Sequence, residues 1–195
     1  MRKYLIIINP VAGTGEIKYS LDKIKSAFES KKKNFDIVFS NKSGNVKEIA
    51  SNAEKLGYTD IIAVGGDGTI LEAFNGIINS NMNLGMIPCG TGNDFAKSLN
   101  IPIDIESAIE KIFCDNVKKI DIGKVNEQYF LNVAGVGIDA EIVMAAGKIK
   151  NSIPGPLAYL TSTFKTLLNY KCKNLRIVID DMEFEQKSYL VAIGN

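Results

Sequence analysis

Short runs of β-branched and aliphatic residues alternate with helix-period segments over the first 120 positions. Strands are expected at 3–8, 35–39, 60–64 and 84–87, where apolar residues are nearly continuous, as in strands buried on both faces. Between them, Ile17, Leu21, Ile24 and Phe28 recur at helical spacing, then Val46, Ile49, Ala53 and Leu56, then Ile70, Phe74, Ile77 and Ile78. Shorter helical stretches follow at 95–99 and 105–113. Strands alternating with helices predict a parallel sheet covered by helices, so residues 1–117 read as one α/β domain.

From about Val117 the pattern changes. Longer strands joined by tight polar turns are expected at 118–125 and 129–134, and again at 175–179 paired with 184–193. Between these pairs a helix over 157–170 sets Leu157, Leu160, Phe164, Leu167 and Leu168 on one face. Residues 118–195 therefore read as a second, mainly β unit. The final Ala192-Ile193-Gly194-Asn195 falls inside an apolar strand, which makes the expected unit a partial one whose remainder lies beyond it. No internal repeat and no low-complexity linker interrupts the chain.

Composition narrows the chemistry. With 195 residues, 46% of them hydrophobic, the chain can fill a core. Lysine and arginine number 23 against 22 acids, so no overall field draws the protein to nucleic acid. Its three cysteines, Cys89, Cys114 and Cys172, are odd in number and widely spaced, which fits neither a disulfide framework nor a zinc site and suits a reducing cytoplasm. The apolar run after Met1-Arg2-Lys3 is stopped by Asn9-Pro10, too early for a signal peptide, and no segment reaches the ~20 apolar residues of a spanning helix. Histidine is absent, which excludes Ser-His-Asp, Cys-His and His-metal chemistry. Catalysis here has carboxylates, lysines, hydroxyls, backbone amides and metal to draw on.

The strongest chemical signal is Gly65-Gly66-Asp67-Gly68-Thr69, where a strand hands over to a helix. Glycines let the backbone approach a ligand, and N–H groups at a helix N-terminus form an anion site suited to phosphate. Gly66 is expected either to face the phosphates closely or to hold a positive φ. Asp67 can serve Mg2+ directly or through water, and Thr69 can donate to a phosphate oxygen. A tight turn with a helix cap would account for one glycine and the aspartate; three glycines around an acid favour phosphate. Gly90-Thr91-Gly92-Asn93-Asp94 follows the fourth strand in the same way. Asn9-Pro10-Val11-Ala12-Gly13 follows the first and Ser40 the second, so four polar loops should line one edge of the sheet.

These motifs, with Ile87-Pro88, Phe95 and Lys119-Ile120-Asp121-Ile122-Gly123, resemble the diacylglycerol kinase catalytic-domain family, which includes bacterial lipid kinases and sphingosine and ceramide kinases. The resemblance extends through Asn132-Val133-Ala134-Gly135-Val136-Gly137-Ile138-Asp139-Ala140. It implies an N-terminal nucleotide-binding domain, a C-terminal β-sandwich, and Mg2+-dependent transfer of the ATP γ-phosphoryl group to a lipid hydroxyl, diacylglycerol being the expected acceptor. ATP would contact Asn9, Pro10, Ala12, Gly13, Ser40, Gly65, Gly66, Asp67, Gly68, Thr69 and Thr91. Asp67, Asp94 and Asp121 match a water-mediated Mg2+ network, with Asp67 catalytic and the general base beyond Asn195. A peripherally membrane-associated cytoplasmic protein follows by the same analogy, with a homodimer as one option.

Three other signals compete. The glycine loop is shared with NAD kinases and phosphofructokinases, so a soluble acceptor, or a nucleotide-binding module without catalysis, is the alternative reading. Gly135-Val136-Gly137-Ile138-Asp139-Ala140 fits a dinucleotide fingerprint, but no acid occurs from Ile142 to Ile179 to hold a ribose, so a strand-to-helix turn is the simpler reading. Asn126-Glu127 matches an NAD-kinase pair, though a hairpin turn accounts for it. The acid-free stretch carries Lys148, Lys150, Lys165, Lys171, Lys173 and Arg176, a segment suited to an anionic membrane or to a solvated face.

Overall fold

The computed structural model describes residues 2–11, 17–149 and 155–195. Its first unit, through Asn132, runs β1 (Lys3–Ile8), α1 (Ile17–Ser30), β2 (Asn34–Phe39), α2 (Asn45–Ala53), β3 (Asp60–Gly65), α3 (Asp67–Ile77), β4 (Asn83–Pro88), α4 (Asp94–Ser98), α5 (Ile105–Phe113) and the hairpin β5 (Gly123–Val125) and β6 (Gln128–Phe130). The four long strands form one parallel sheet in the order β2-β1-β3-β4. The mixed α/β class expected from the alternation is the class found.

Side chains alternate across the sheet and explain the continuous apolar runs. Leu5, Ile7, Ile61 and Ala63 pack with Val46 and Ala50 of α2 and with Ile70 and Ala73 of α3. Tyr4, Ile6, Ile8, Ile62 and Val64 pack on the other face with Ile24 and Phe28 of α1 and Ile109 of α5. Phe28 is fully buried, its ring 5.4 Å from Tyr4 and 4.9 Å from Phe113 in edge contacts. Leu56 departs from expectation. α2 stops at Ala53, a 3-10 turn covers Glu54–Leu56, and Gly57 in the left-handed region (φ 80°) ends it, which leaves Leu56 exposed.

At the N-terminal ends of the strands, the buried Asp60 carboxylate accepts from Thr59 Oγ1 (2.6 Å) and Asn83 Nδ2 (2.9 Å) and pairs with Arg2 (3.4 Å), which also pairs with Asp115. This cluster ties together the starts of β1, β3 and β4.

The second unit, Val133–Asn195, contains β7 (Val133–Gly137), α6 (Ile138–Ile149), α7 (Gly155–Asn169), β8 (Lys173–Ile179), β9 (Met182–Ser188) and β10 (Leu190–Gly194). β7 pairs antiparallel with β10, and β8 with β9. The boundary drawn from sequence at 117/118 and the observed division after Asn132 differ by the β5–β6 hairpin, which Asn75 and Leu131 tie to the first unit. Three expected strands also change, one being 129–134, which is divided between β6 (Gln128–Phe130) and β7 (Val133–Gly137) with different partners. The run 118–125 is strand only from Gly123, and 184–193 is two strands with different partners. The turn expected at Gly135 to Ala140 is observed: β7 passes directly into α6, with Gly137 at φ 133° and Ile138 N donating to Tyr189 O (3.0 Å). On α7, Leu160, Phe164, Leu167 and Leu168 are exposed, while the side chain of Leu157 lies outside the described residues.

Candidate phosphate-binding site

The chain reverses direction across the sheet between β1 and β3: β2 lies on one side of β1, and β3 and β4 lie on the other. In open parallel sheets, ligands bind at the carboxyl ends of strands around such a reversal. Asn9 emerges from β1 at this point, and Gly65-Gly66 from β3. Asn9 N donates to Val64 O (3.1 Å) and Asn9 Nδ2 to Thr69 Oγ1 (3.0 Å), which joins the first loop to the first turn of α3. Its Oδ1 accepts from Val11 N (3.2 Å). Pro10 is exposed beside it, and Ala12 and Gly13 lie outside the described residues. Ser40, at the end of β2, is buried, its N–H donating to Ile8 O (2.9 Å).

Gly66 stands immediately before α3 with φ −90° and ψ −173°, an extended conformation open to any residue. The expectation of a positive φ there is therefore corrected. What demands glycine is contact: a Cβ on Gly90 would lie 2.5 Å from Gly66 Cα, and one on Gly66 would lie 3.1 Å from Gly90 Cα. The loops after β3 and β4 touch backbone to backbone, and Cys89 N donating to Gly65 O (2.9 Å) continues the join. Burial pushes the Cys89 thiol up, away from thiolate chemistry. Gly68, the second residue of α3, has open space where a side chain would be, in the first turn of a helix whose leading N–H groups carry partial positive charge.

Asp67 is the first residue of α3. Its Oδ1 accepts from Phe95 N (3.1 Å), which fixes the carboxylate against the start of α4. Its Oδ2 and that of Asp94 flank Gly92, where a Cβ would lie 3.0 Å from the first and 3.4 Å from the second. Two carboxylates thus face one glycine. Asn93 shapes this loop: buried and left-handed (φ 52°), it accepts from Gly90 N (2.9 Å) and donates to Gly90 O (2.8 Å) through its side chain. Thr91 is exposed at the tip. Asp121 lies on the segment leading into β5, and among the described residues no three acids or cysteines converge as direct metal ligands.

Glu72 was not singled out by any motif. One turn into α3 from Gly68, its Oε1 accepts from Gly44 N (3.0 Å), while Oε2 is buried with no hydrogen-bond partner among the described residues. A carboxylate five residues after Asp67 looks like ordinary helix surface in sequence. Only the burial of the free oxygen marks it.

In the basic segment, two charges are already engaged. Lys173 pairs with Glu141 (2.8 Å) and Arg176 with Glu183, so acids from outside the acid-free stretch, or at its edge, neutralise part of it. Lys148 and Lys150 fall outside the described side chains. Among the described residues no helix is long and apolar enough to cross a membrane.

A parallel α/β domain with Asn9 after β1 and the glycine-rich loops after β3 and β4 at the carboxyl ends of its strands defines the class. A model of the diacylglycerol kinase catalytic domain matches residues 3–125, and the chain belongs to that family. It is 36% identical over 191 residues to a diacylglycerol kinase of Staphylococcus haemolyticus and 35% identical to one of Staphylococcus saprophyticus, covering 97% of this chain and 58% and 63% of theirs. The crystal structure of a diacylglycerol kinase from Bacillus anthracis superposes with a TM-score of 0.73 at 30% identity, covering 100% of this chain and 64% of that one. The chain therefore spans about three fifths of the length of these relatives. NAD kinases and phosphofructokinases are not favoured by these comparisons.

Proposed function

We propose that the chain is the nucleotide-binding part of an ATP-dependent lipid kinase that phosphorylates diacylglycerol. One observation carries the reading: Asp67 is pinned through Oδ1 to Phe95 N, and its other oxygen faces Gly92 and Asp94 beside glycine backbone suited to phosphate. In the reaction the bond between the γ-phosphorus and the β–γ bridging oxygen breaks, and a bond to the lipid hydroxyl oxygen forms. ADP leaves, and the hydroxyl proton passes to a base that no residue of this chain is assigned. Such transfer depends on positioning and charge neutralisation, which backbone amides and carboxylates provide.

Gly66, Gly68 and Thr69 receive the phosphates at the head of α3, Asn9 holds Thr69 Oγ1 in place, and Ser40, Pro10, Ala12, Gly13 and Thr91 border the nucleotide. Asp67 and Asp94, with Asp121 as third member, suit a hydrated Mg2+ better than direct ligation. Such an ion neutralises charge shared by the β- and γ-phosphates. The lysines at 165 and 171 suit the anionic surface on which a lipid acceptor resides.

The test is Asp67→Asn in the full-length enzyme of which this chain is proposed to be the nucleotide-binding part. Asparagine keeps an oxygen for Phe95 N–H but removes the charge, so the melting temperature should hold. Diacylglycerol phosphorylation should fall by orders of magnitude, on the order of 10²-fold or more. Calorimetric titration with Mg·ATP reports binding separately. Near-normal turnover in the variant, or no Mg·ATP binding by the unmodified protein, defeats the reading.

A further inference from the structure

Helix α3 does more than present Asp67. Two turns further on, roughly 12 Å along the axis at 1.5 Å per residue, the Asn75 amide holds the β5–β6 hairpin. Its Oδ1 accepts from Tyr129 N (3.2 Å), and its Nδ2 donates to Tyr129 O (3.2 Å) and to Leu71 O (3.0 Å). Only this orientation of the amide satisfies all three bonds.

The register explains why those groups are available. Val125 pairs with Gln128 across the two-residue turn, so Tyr129, opposite Lys124, falls where an antiparallel ladder points N–H and C=O outward. Asn75 meets both groups as a neighbouring strand would. The Phe74 and Tyr129 rings stand edge to face at 6.5 Å, and Leu131 is buried in the core that α3 shares. The hairpin thus has a polar clamp and an apolar seat on the same helix that begins at the glycine loop. Asp121 lies two residues before β5, and the second unit begins three residues after β6.

We propose that Asn75 is a positioning residue that couples phosphate occupancy at the head of α3 to the order of the β5–β6 hairpin. This rests on the nucleotide site proposed above. A continuous helix with one face buried on the sheet carries a restraint from its first turn to its third. Coupling between two sites is reciprocal: if nucleotide makes hairpin opening rarer, the opened hairpin binds nucleotide more weakly by the same factor, and loss of the clamp weakens binding by up to that factor. The polar clamp itself holds main-chain atoms, so it survives a change of the Tyr129 side chain to another apolar one.

Amide exchange followed by NMR tests this, with Mg·ATP as the probe. In the unmodified protein Tyr129 N–H should be protected, and Mg·ATP should slow its exchange further. In Asn75→Ala it should exchange on the order of tenfold faster, while Ile62 and Ala63 in β3 keep their rates. The Kd for Mg·ATP should rise, by up to the factor by which Mg·ATP slows Tyr129 exchange. Asn75→Asp keeps side-chain volume and an acceptor for Tyr129 N–H but turns an oxygen toward two carbonyls, so it should also loosen the hairpin. Tyr129→Leu should preserve the coupling. Equal Tyr129 exchange in Asn75→Ala and the unmodified protein overturns the clamp. A loosened hairpin with unchanged Mg·ATP affinity overturns the coupling. If the unmodified protein does not bind Mg·ATP, the nucleotide reading and the coupling both fail, while the nucleotide-free comparison still decides whether Asn75 holds the hairpin.

Discussion

Two glycines separated by 24 positions in sequence share one point of backbone contact, and the cost of a methyl group differs between them. On Gly90 it would meet Gly66 Cα at 2.5 Å and Asn93 Oδ1 at 2.9 Å, so backbone must move; on Gly66 the corresponding approach is 3.1 Å, which a few tenths of an ångström relieves. Gly90→Ala should therefore destabilise by about 1–3 kcal/mol, as overpacking does, and should weaken Mg·ATP binding by more than Gly66→Ala. Adenosine, lacking phosphates, should lose less affinity in either variant. Calorimetry with both ligands, alongside thermal melts, checks the order. The reverse ranking would mean that the ligand, not the neighbouring loop, sets the constraint at Gly66. Sequence motifs marked these glycines as places where a phosphate could approach the backbone, whereas the contact seen is with the neighbouring loop. That Gly66 touches Gly90 depends on the register of β3 against β4, which no local motif encodes.

At the scale of single elements, α5 offers a clean electrostatic test. Asp104 caps it by accepting from Ser107 N (2.8 Å), and that backbone bond holds its carboxyl below the usual range, the Ser107 hydroxyl helping. A depressed folded-state pKa means that the cap contributes fully above the ordinary carboxylate value. The contribution is lost as pH falls through the folded value, where the carboxyl protonates. Asp104→Asn should thus lower the melting temperature near neutral pH, and the gap between the two proteins should close on acidification. A gap that persists in strong acid would assign the effect to something other than the charged cap.

Elements of the first unit were legible because burial on both faces of a parallel sheet leaves a continuous apolar signature, and because each helix shows a single apolar face. The second unit was harder. The run 184–193 reads as one strand, yet the chain exchanges partners at Tyr189, from β8 to β7, where Tyr189 O accepts from Ile138 N. Apolar alternation registers whether a residue is extended, and β9 and β10 are both extended. It carries no record of which strand lies alongside. The clamp formed by Asn75 was silent for a related reason: its partners are main-chain atoms 54 positions away.

For the molecule as a whole, the cluster around Asp60 is the main polar investment of the sheet. Replacing Asp60 by Ala leaves Asn83, Thr59 and Arg2 without their shared acceptor and should cost about 2–4 kcal/mol, measured by urea unfolding. Asn, which retains one acceptor, should cost less. The cluster sits at the amino ends of β1, β3 and β4, whereas the glycine loops sit at the carboxyl ends, and six-residue strands put roughly 20 Å between them. Perturbations that far apart, with no shared partner, add rather than interact. Resistance to heat and grip on ligand are therefore separately adjustable in this sheet. Reinforcing the polar network at one end is a route to a hardier protein that leaves the chemistry at the other end untouched.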